Sequence, residues 1–167
     1  MLKVEKIEKF SKLPFSVKKF LQFYPWKDCS PVSTKSIKKD LCESKVAIVS
    51  SAGLIVKGVH DSFDLDIKLG DPTFRIIRSD TNPELLQECH RSQTFDHSAI
   101  KNDPYSAFPI PHLISLKNEG FIGSVSNRHI SLMGSIINTS ELERNTIPEI
   151  ISILKSDFID IVIFIPV

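Results

Sequence analysis

The chain is predicted to be an α/β protein built on a mostly parallel, Rossmann-like sheet with flanking helices, the sheet incomplete at its C-terminus. Three observations predict this. Residues 45–51, Lys45-Val46-Ala47-Ile48-Val49-Ser50-Ser51, are β-branched and apolar and run into Ala52-Gly53, as a buried strand entering a tight turn does. Residues 158–167, Phe158-Ile159-Asp160-Ile161-Val162-Ile163-Phe164-Ile165-Pro166-Val167, form a second apolar run, read as a strand covered on both faces. Between the two, capped helical segments alternate with short apolar runs, the order of parallel βα units.

The elements follow in chain order. Residues 1–43 form a lysine- and aromatic-rich leader, in which an amphipathic helix precedes a crossing segment containing Pro25 and Pro31. The α/β domain occupies residues 44–167. After the first strand, residues 54–72 read as loop, punctuated by Gly58, Gly70 and Pro72. Phe74-Arg75-Ile76-Ile77-Arg78 is a second strand, and residues 82–86 suit the start of a short helical turn. Residues 109–119 read as a helix with Gly120 just past its end. Phe121–Val125 is a short strand or turn, followed by His129–Gly134. Thr139 and Ser140 can cap a helix over 141–156, with Glu143 at capping-box spacing from Ser140 and Pro148 kinking or splitting it.

Composition excludes several classes. At 167 residues, 41% hydrophobic and 25% charged, the chain is ordinary for one globular domain. A net charge of +1 gives no field for nucleic acid or a membrane surface, so neither is expected as a partner. No apolar run reaches the length of a membrane span and the charged N-terminus is no signal segment, which together suggest a cytoplasmic protein. Cys29, Cys42 and Cys89 have neither Cys-x-x-Cys nor zinc spacing, so no metal is expected.

Polar residues gather between the apolar segments, where chemistry usually sits. Ser50, Ser51 and Gly53 lie at the carboxyl end of the first strand. Asp71, Arg75 and Asp80 lie on or beside the second. Asp96 and His97 share a loop, and His129 precedes the Met133-Gly134 turn. Each also has a plain structural reading: Arg75 paired with Asp71 or Asp80, and His97 and His129 as hydrogen-bonded loop histidines. Ser50-Ser51-Ala52-Gly53 lacks the glycines of a dinucleotide loop and the lysine of a phosphate loop. There is no Gly-x-Ser-x-Gly elbow.

An ordered series of motifs resembles the selenoprotein B family of glycine, sarcosine and betaine reductases and the related D-proline reductase subunit. The series runs Val46–Gly53 with Lys57-Gly58, Gly70-Asp71-Pro72-Thr73-Phe74-Arg75, Ser79-Asp80 and Phe95-Asp96-His97-Ser98. It continues through Asn102-Asp103, Phe108-Pro109, Glu119–Gly123, His129 with Met133-Gly134, and Asp160–Val167. The resemblance covers roughly residues 44–167.

The resemblance implies a selenocysteine or cysteine directly after a Pro-Val-like pair, here Pro166-Val167, so the chain is expected to stop just short of its nucleophile, with no catalytic group of its own. It implies a subunit of a selenol- or thiol-dependent reductase that cleaves C–N bonds of glycine, betaine, sarcosine or proline-type substrates with a disulfide as acceptor. The implied partners are other reductase subunits, one carrying a pyruvoyl group, and a thioredoxin-type reductant; no cofactor is expected on this chain. Arg75, His97 and His129 are the expected cations near the strand end, oriented by Asp80 and Asp96. The alternatives are a non-catalytic module binding a small carboxylate or amine, with Arg75, His129 and Ser51 as its pocket, or a scaffold subunit.

Overall fold

The computed structural model describes residues 14–24, 35–92 and 97–167. The chain divides into two units, residues 1–36 and 37–167. In the first, helix α1 spans Phe15–Phe23, entered from Pro14, whose carbonyl accepts the Lys18 N–H at 3.0 Å. Pro25, Pro31 and Cys29 lie outside the described residues.

The second unit is organised around β1 (Lys45–Ser50), all but its first residue buried. On one side β1 pairs in parallel first with β5 (Ser124–Val125) and then with β6 (Arg128–Leu132); on the other it pairs in parallel with β7 (Ile161–Ile165). The predicted second strand is β3 (Phe74–Arg78), and it runs antiparallel to β6, with Phe74 opposite Leu132 and Arg78 opposite Arg128. The sheet is therefore mostly parallel with one antiparallel edge.

Both faces of the sheet carry a core. On one, α2 (His97–Asn102) and α3 (Ile110–Asn118), with the turn between them, deliver Ile100, Phe108, Ile110 and Leu113 against Val46, Ile48 and Ile77. On the other, α4 (Ile147–Ser156) sets Ile150, with Ile153 and Leu154, on Val49, Ile130 and Val162. The strand alternation explains the split: Val46 and Ile48 point one way and Val49 the other. Each fully buried isoleucine contributes roughly 1.5–3 kcal/mol relative to exposure. Gly120 ends α3 as expected, with φ +80° and its N–H bonded to the Lys117 carbonyl.

Three expectations need correction. Residues 54–72 are not all loop: β2 (Leu54–Val56) pairs antiparallel with β4 (Leu86–Glu88). Three-residue strands so far apart in the chain leave no periodicity to read. The helix expected over 141–156 is split at Pro148 as anticipated, into a π-helical turn, Leu142–Thr146, and α4, because Pro148 has no N–H and fits only the first turn, but its expected capping box does not form. The Ser140 N–H donates to Asn138 Oδ1 (3.1 Å), and Glu143 accepts from Thr139 Oγ1 (2.7 Å). Finally, β7 is not covered on both faces. Phe164 is 72% exposed and Phe158, just before the strand, 82%. Among the described residues only β1 pairs with β7.

Candidate functional site at the carboxyl edge of the sheet

Strands β1, β6 and β7 end at the same edge, where open α/β sheets place their ligands. Ser51, the residue after β1, holds the end of β7 at two points. Its N–H donates to the Ile165 carbonyl (3.1 Å), and its Oγ accepts from the Val167 N–H (3.0 Å). Pro166, between them, has no N–H to satisfy. Having accepted one bond, the Ser51 hydroxyl still has its own proton to donate.

The chain then crosses the end of β6. Gly53 donates to the Leu132 carbonyl (2.8 Å) and accepts from the Cys89 N–H (2.8 Å). Its φ is +64°, and a Cβ there would stand 2.7 Å from the Cys89 carbonyl oxygen, so the crossing requires glycine. Gly134, just past β6, has φ +70°; a Cβ on it would meet the Ser51 carbonyl oxygen at 2.7 Å and His90 Nε2 at 2.9 Å.

His90 thus reaches the edge from the residues after β4. Its Nδ1 accepts the Ser92 N–H (2.9 Å), so the neutral ring carries its proton on Nε2. Burial lowers its pKa; the Glu88 carboxylate pulls it up and His97 pushes it down, and the net shift is downward. His97 Nδ1 pairs with Glu88 Oε1, and its Nε2 lies 2.7 Å from the Ser92 carbonyl oxygen. The rings of His90 and His97 meet edge to face, 6.5 Å apart.

Of the residues singled out in the sequence, Ser50, Ser51, Gly53, Pro166 and Val167 gather at this edge, and His97 stands one ring behind His90. Ser50 Oγ accepts the Ala52 N–H (3.3 Å). Beside it, Ser131 on β6 is fully buried, its hydroxyl unpaired among the described residues.

The expected cation cluster does not form. The Arg75 guanidinium is spent on its own loop, bonding the carbonyls of Asp61 (2.9 Å), Ser62 (3.1 Å) and Phe74 (3.0 Å) and the Thr73 hydroxyl (2.9 Å), and lies 4.3 Å over the Phe63 ring. Asp80 makes a two-point bond to Arg78, not Arg75, just beyond the far end of β3. His129 is fully buried on the α3 face. Its Nδ1 accepts the Ile48 N–H (3.0 Å), and its Nε2 lies 2.8 Å from Ser79 Oγ, which itself donates to the Ser126 carbonyl. Burial lowers its pKa to about 4. Asp96 lies outside the described residues.

Asp71 is a loop staple. It accepts from the Asp64 N–H (2.8 Å), the Thr73 N–H (2.8 Å) and the Thr73 hydroxyl (2.6 Å). Burial pushes its carboxyl up, but these bonds and the Arg75 charge outweigh burial and hold it below the usual value. Asp71→Ala is expected to cost about 1–3 kcal/mol by orphaning these donors, read as a lower urea midpoint.

Cys89 packs as a small apolar group beside Ile55, Phe63 and Met133, its Sγ 3.7 Å from the Phe63 carbonyl oxygen. No group of three or more His, Cys, Asp or Glu among the described residues could hold a metal ion. No described helix is long and apolar enough to cross a membrane. In the sequence, His90 stands out only as the imidazole next to Cys89; the residues after β4 bring its ring against Gly134.

The fold and this site define an α/β protein whose parallel strands end in a serine- and histidine-lined edge. The chain belongs to the glycine/sarcosine/betaine reductase selenoprotein B family, whose profile matches residues 10–166. It is 30% identical over 128 residues to the D-proline reductase subunit gamma of Acetoanaerobium sticklandii, covering 76% of this chain and 50% of that protein. The chain therefore spans about half the length of the curated relative it matches. No solved structure matches it significantly.

Proposed function

We propose that this chain builds the half of an amino-acid reductase subunit that presents a chalcogen nucleophile, a selenocysteine or cysteine following Val167. The observation that supports the reading is the two-point hold of Ser51 on the Ile165 carbonyl and the Val167 N–H, which fixes the end of β7 at the carboxyl edge of the sheet. The Ser51 hydroxyl, which accepts from the Val167 N–H and keeps its own proton to donate, suits an anionic group. The chalcogen supplies a nucleophile ionised near neutral pH that displaces the amine from the carbon bearing it. The residues of this chain fix the strand end, offer hydrogen bonds to negative charge, and keep side chains away through Gly53 and Gly134.

In this reading the substrates are of the glycine, sarcosine, betaine or proline type. A partner subunit's pyruvoyl group activates the amine, and a thioredoxin-type dithiol supplies two electrons and becomes a disulfide. The family supports a reductase role, and the relative's name supports proline among the substrates. The coding sequence immediately after Val167 tests the proposal. An in-frame selenocysteine or cysteine codon followed by a continuing reading frame is expected. A frame that continues with neither residue, or no further frame, contradicts it.

A further inference from the structure

Strand β7 lies at the outside of the sheet but lacks the usual guards of an edge. The Ser51 N–H bonds the Ile165 carbonyl, so Ile165 turns its backbone to β1, and by alternation Ile161 and Ile163 do the same. The N–H and C=O groups of Val162 and Phe164 therefore point away from β1, to a side where no described strand stands. Permanent edges are commonly guarded by charge, and Ile161-Val162-Ile163-Phe164-Ile165 carries none. One face of the strand is open as well. Val162 packs under α4, and Phe164, two residues on, points to the same face yet is largely exposed. Helix α4 extends that opening. Thr146 and Glu149 border a hollow beside Phe74 and Ile76 of β3, on one flank of the helix. Ile147 and Ile151, one turn apart, occupy the opposite flank, toward β7, and both are exposed.

We infer that this opening seats a helix and a parallel strand of the polypeptide that follows Val167, the strand pairing with the outer side of β7 and the helix lying beside α4 over Phe164, Ile147 and Ile151. The seat belongs to the described residues; its occupant rests on the reading that the protein continues past Val167. Length is the first reason for that occupant. The 128 residues matched in D-proline reductase subunit gamma are 50% of that protein, so an equal length of it lies outside the match. Handedness is the second. The chain passes from β6 across β1 to β7 with α4 on one face, and connections between parallel strands of one sheet are right-handed in nearly all cases. A further right-handed step in the same direction keeps its helix on the α4 face, the face on which Phe164 stands open. The rival occupant is a second copy, with two β7 edges paired across a two-fold axis. Pro166, next in the outward alternation, has no N–H, so β7 offers an outside partner only the Val162 and Phe164 donors. That is a slender contact for two free molecules, which lose translational freedom on pairing, whereas a segment of the same chain does not.

Hydrogen exchange of β7, read by mass spectrometry, tests this in the 167-residue chain and in the protein expressed from the full reading frame with cysteine at any selenocysteine codon. In the 167-residue chain the Val162 and Phe164 amides are expected to exchange freely, while those of Ile161, Ile163 and Ile165 are slow. In the longer protein the Val162 and Phe164 amides should slow about a hundredfold or more. A second reading needs the longer protein alone: the thiol introduced by Phe164→Cys should be alkylated about tenfold more slowly than that of the exposed Cys42 in the same molecule. Val162 and Phe164 amides that exchange freely in the longer protein, or a Phe164→Cys thiol as reactive there as Cys42, would overturn the inference. So would a dimer of the 167-residue chain in which those amides are already slow, which would give the edge to a second copy. A frame that continues past Val167 with neither selenocysteine nor cysteine ends the reductase reading and leaves the seat to be read in the same way. A chalcogen codon followed by a protein with free Val162 and Phe164 amides ends the inference and leaves the reading, and the absence of any further frame ends both.

Discussion

Replacing His129 by leucine should abolish most of the loss of stability that acid causes between pH 6.5 and pH 4. The folded ring has its pKa lowered to about 4 by burial, while the unfolded chain binds the proton near pH 6.5. Between these values the unfolded state holds more protons than the folded one, so stability falls as pH falls. The full penalty, reached below pH 4, is about 3 kcal/mol, since each pH unit that separates the folded and unfolded pKa values is worth about 1.4 kcal/mol. His60 and His90, also lowered by burial, leave a smaller slope of the same sign in the variant. At pH 7 the substitution should cost about 1–3 kcal/mol, because the buried Ile48 N–H loses its acceptor. The gap between wild type and variant should therefore close or invert on acidification. Urea unfolding of both proteins at several pH values measures this, and parallel pH profiles would show that His129 is not the buried neutral ring described above.

Phe108→Ala should destabilise the protein by about 3–5 kcal/mol, a large share of the stability of an ordinary domain. Phe108 is fully buried on the α3 face of the sheet, among Ile48, Ile77, Ile110 and Leu113. Its ring also stands edge to face against His129, with centroids 5.8 Å apart. Removing it opens a cavity beside the imidazole. Because burial holds the His129 pKa down, the variant's ring should titrate closer to the ordinary value. Denaturant midpoints and the NMR titration of His129 read the two effects separately. A loss of stability with an unchanged His129 pKa would mean that other groups exclude water from that ring.

Much of the sheet was legible because it is written in local runs. The β1 segment 45–50 and the β3 segment 74–78 carry enough β-branched residues to declare themselves, and Gly120 marks the end of α3. The direction of β3 was not legible, since an apolar strand reads alike in parallel and antiparallel neighbours. The β2–β4 pair was hidden because each strand is three residues long and its partner is distant in sequence. The apolar run at 161–165 was correctly placed as a strand, but its pattern does not say how many neighbours it has, and Phe164 proves largely exposed.

The site divides in the same way. Ser51, Gly53 and Val167 lie together at the carboxyl edge, as a strand end followed by small residues signals locally. Arg75, Asp80 and His129 do not gather at that edge, because residue type cannot show what a charge or ring already holds. Arg75 is held by its loop, Asp80 by Arg78, and His129 by the β1 backbone. The position of His90 was not legible, because it depends on Gly53 and Cys89 bonding across the sheet edge.

If the position after Val167 stands beside the Ser51 hydroxyl, a thiol placed there must feel it. The most direct measurement appends a Cys-Gly-Gly tail after Val167 and follows alkylation of that thiol against pH by peptide mass spectrometry, which separates it from Cys29, Cys42 and Cys89. The expected result is an apparent pKa well below the ~8.5 of a free cysteine, returning toward that value in a Ser51→Ala background. A tail thiol that titrates as a free cysteine in both proteins would contradict it.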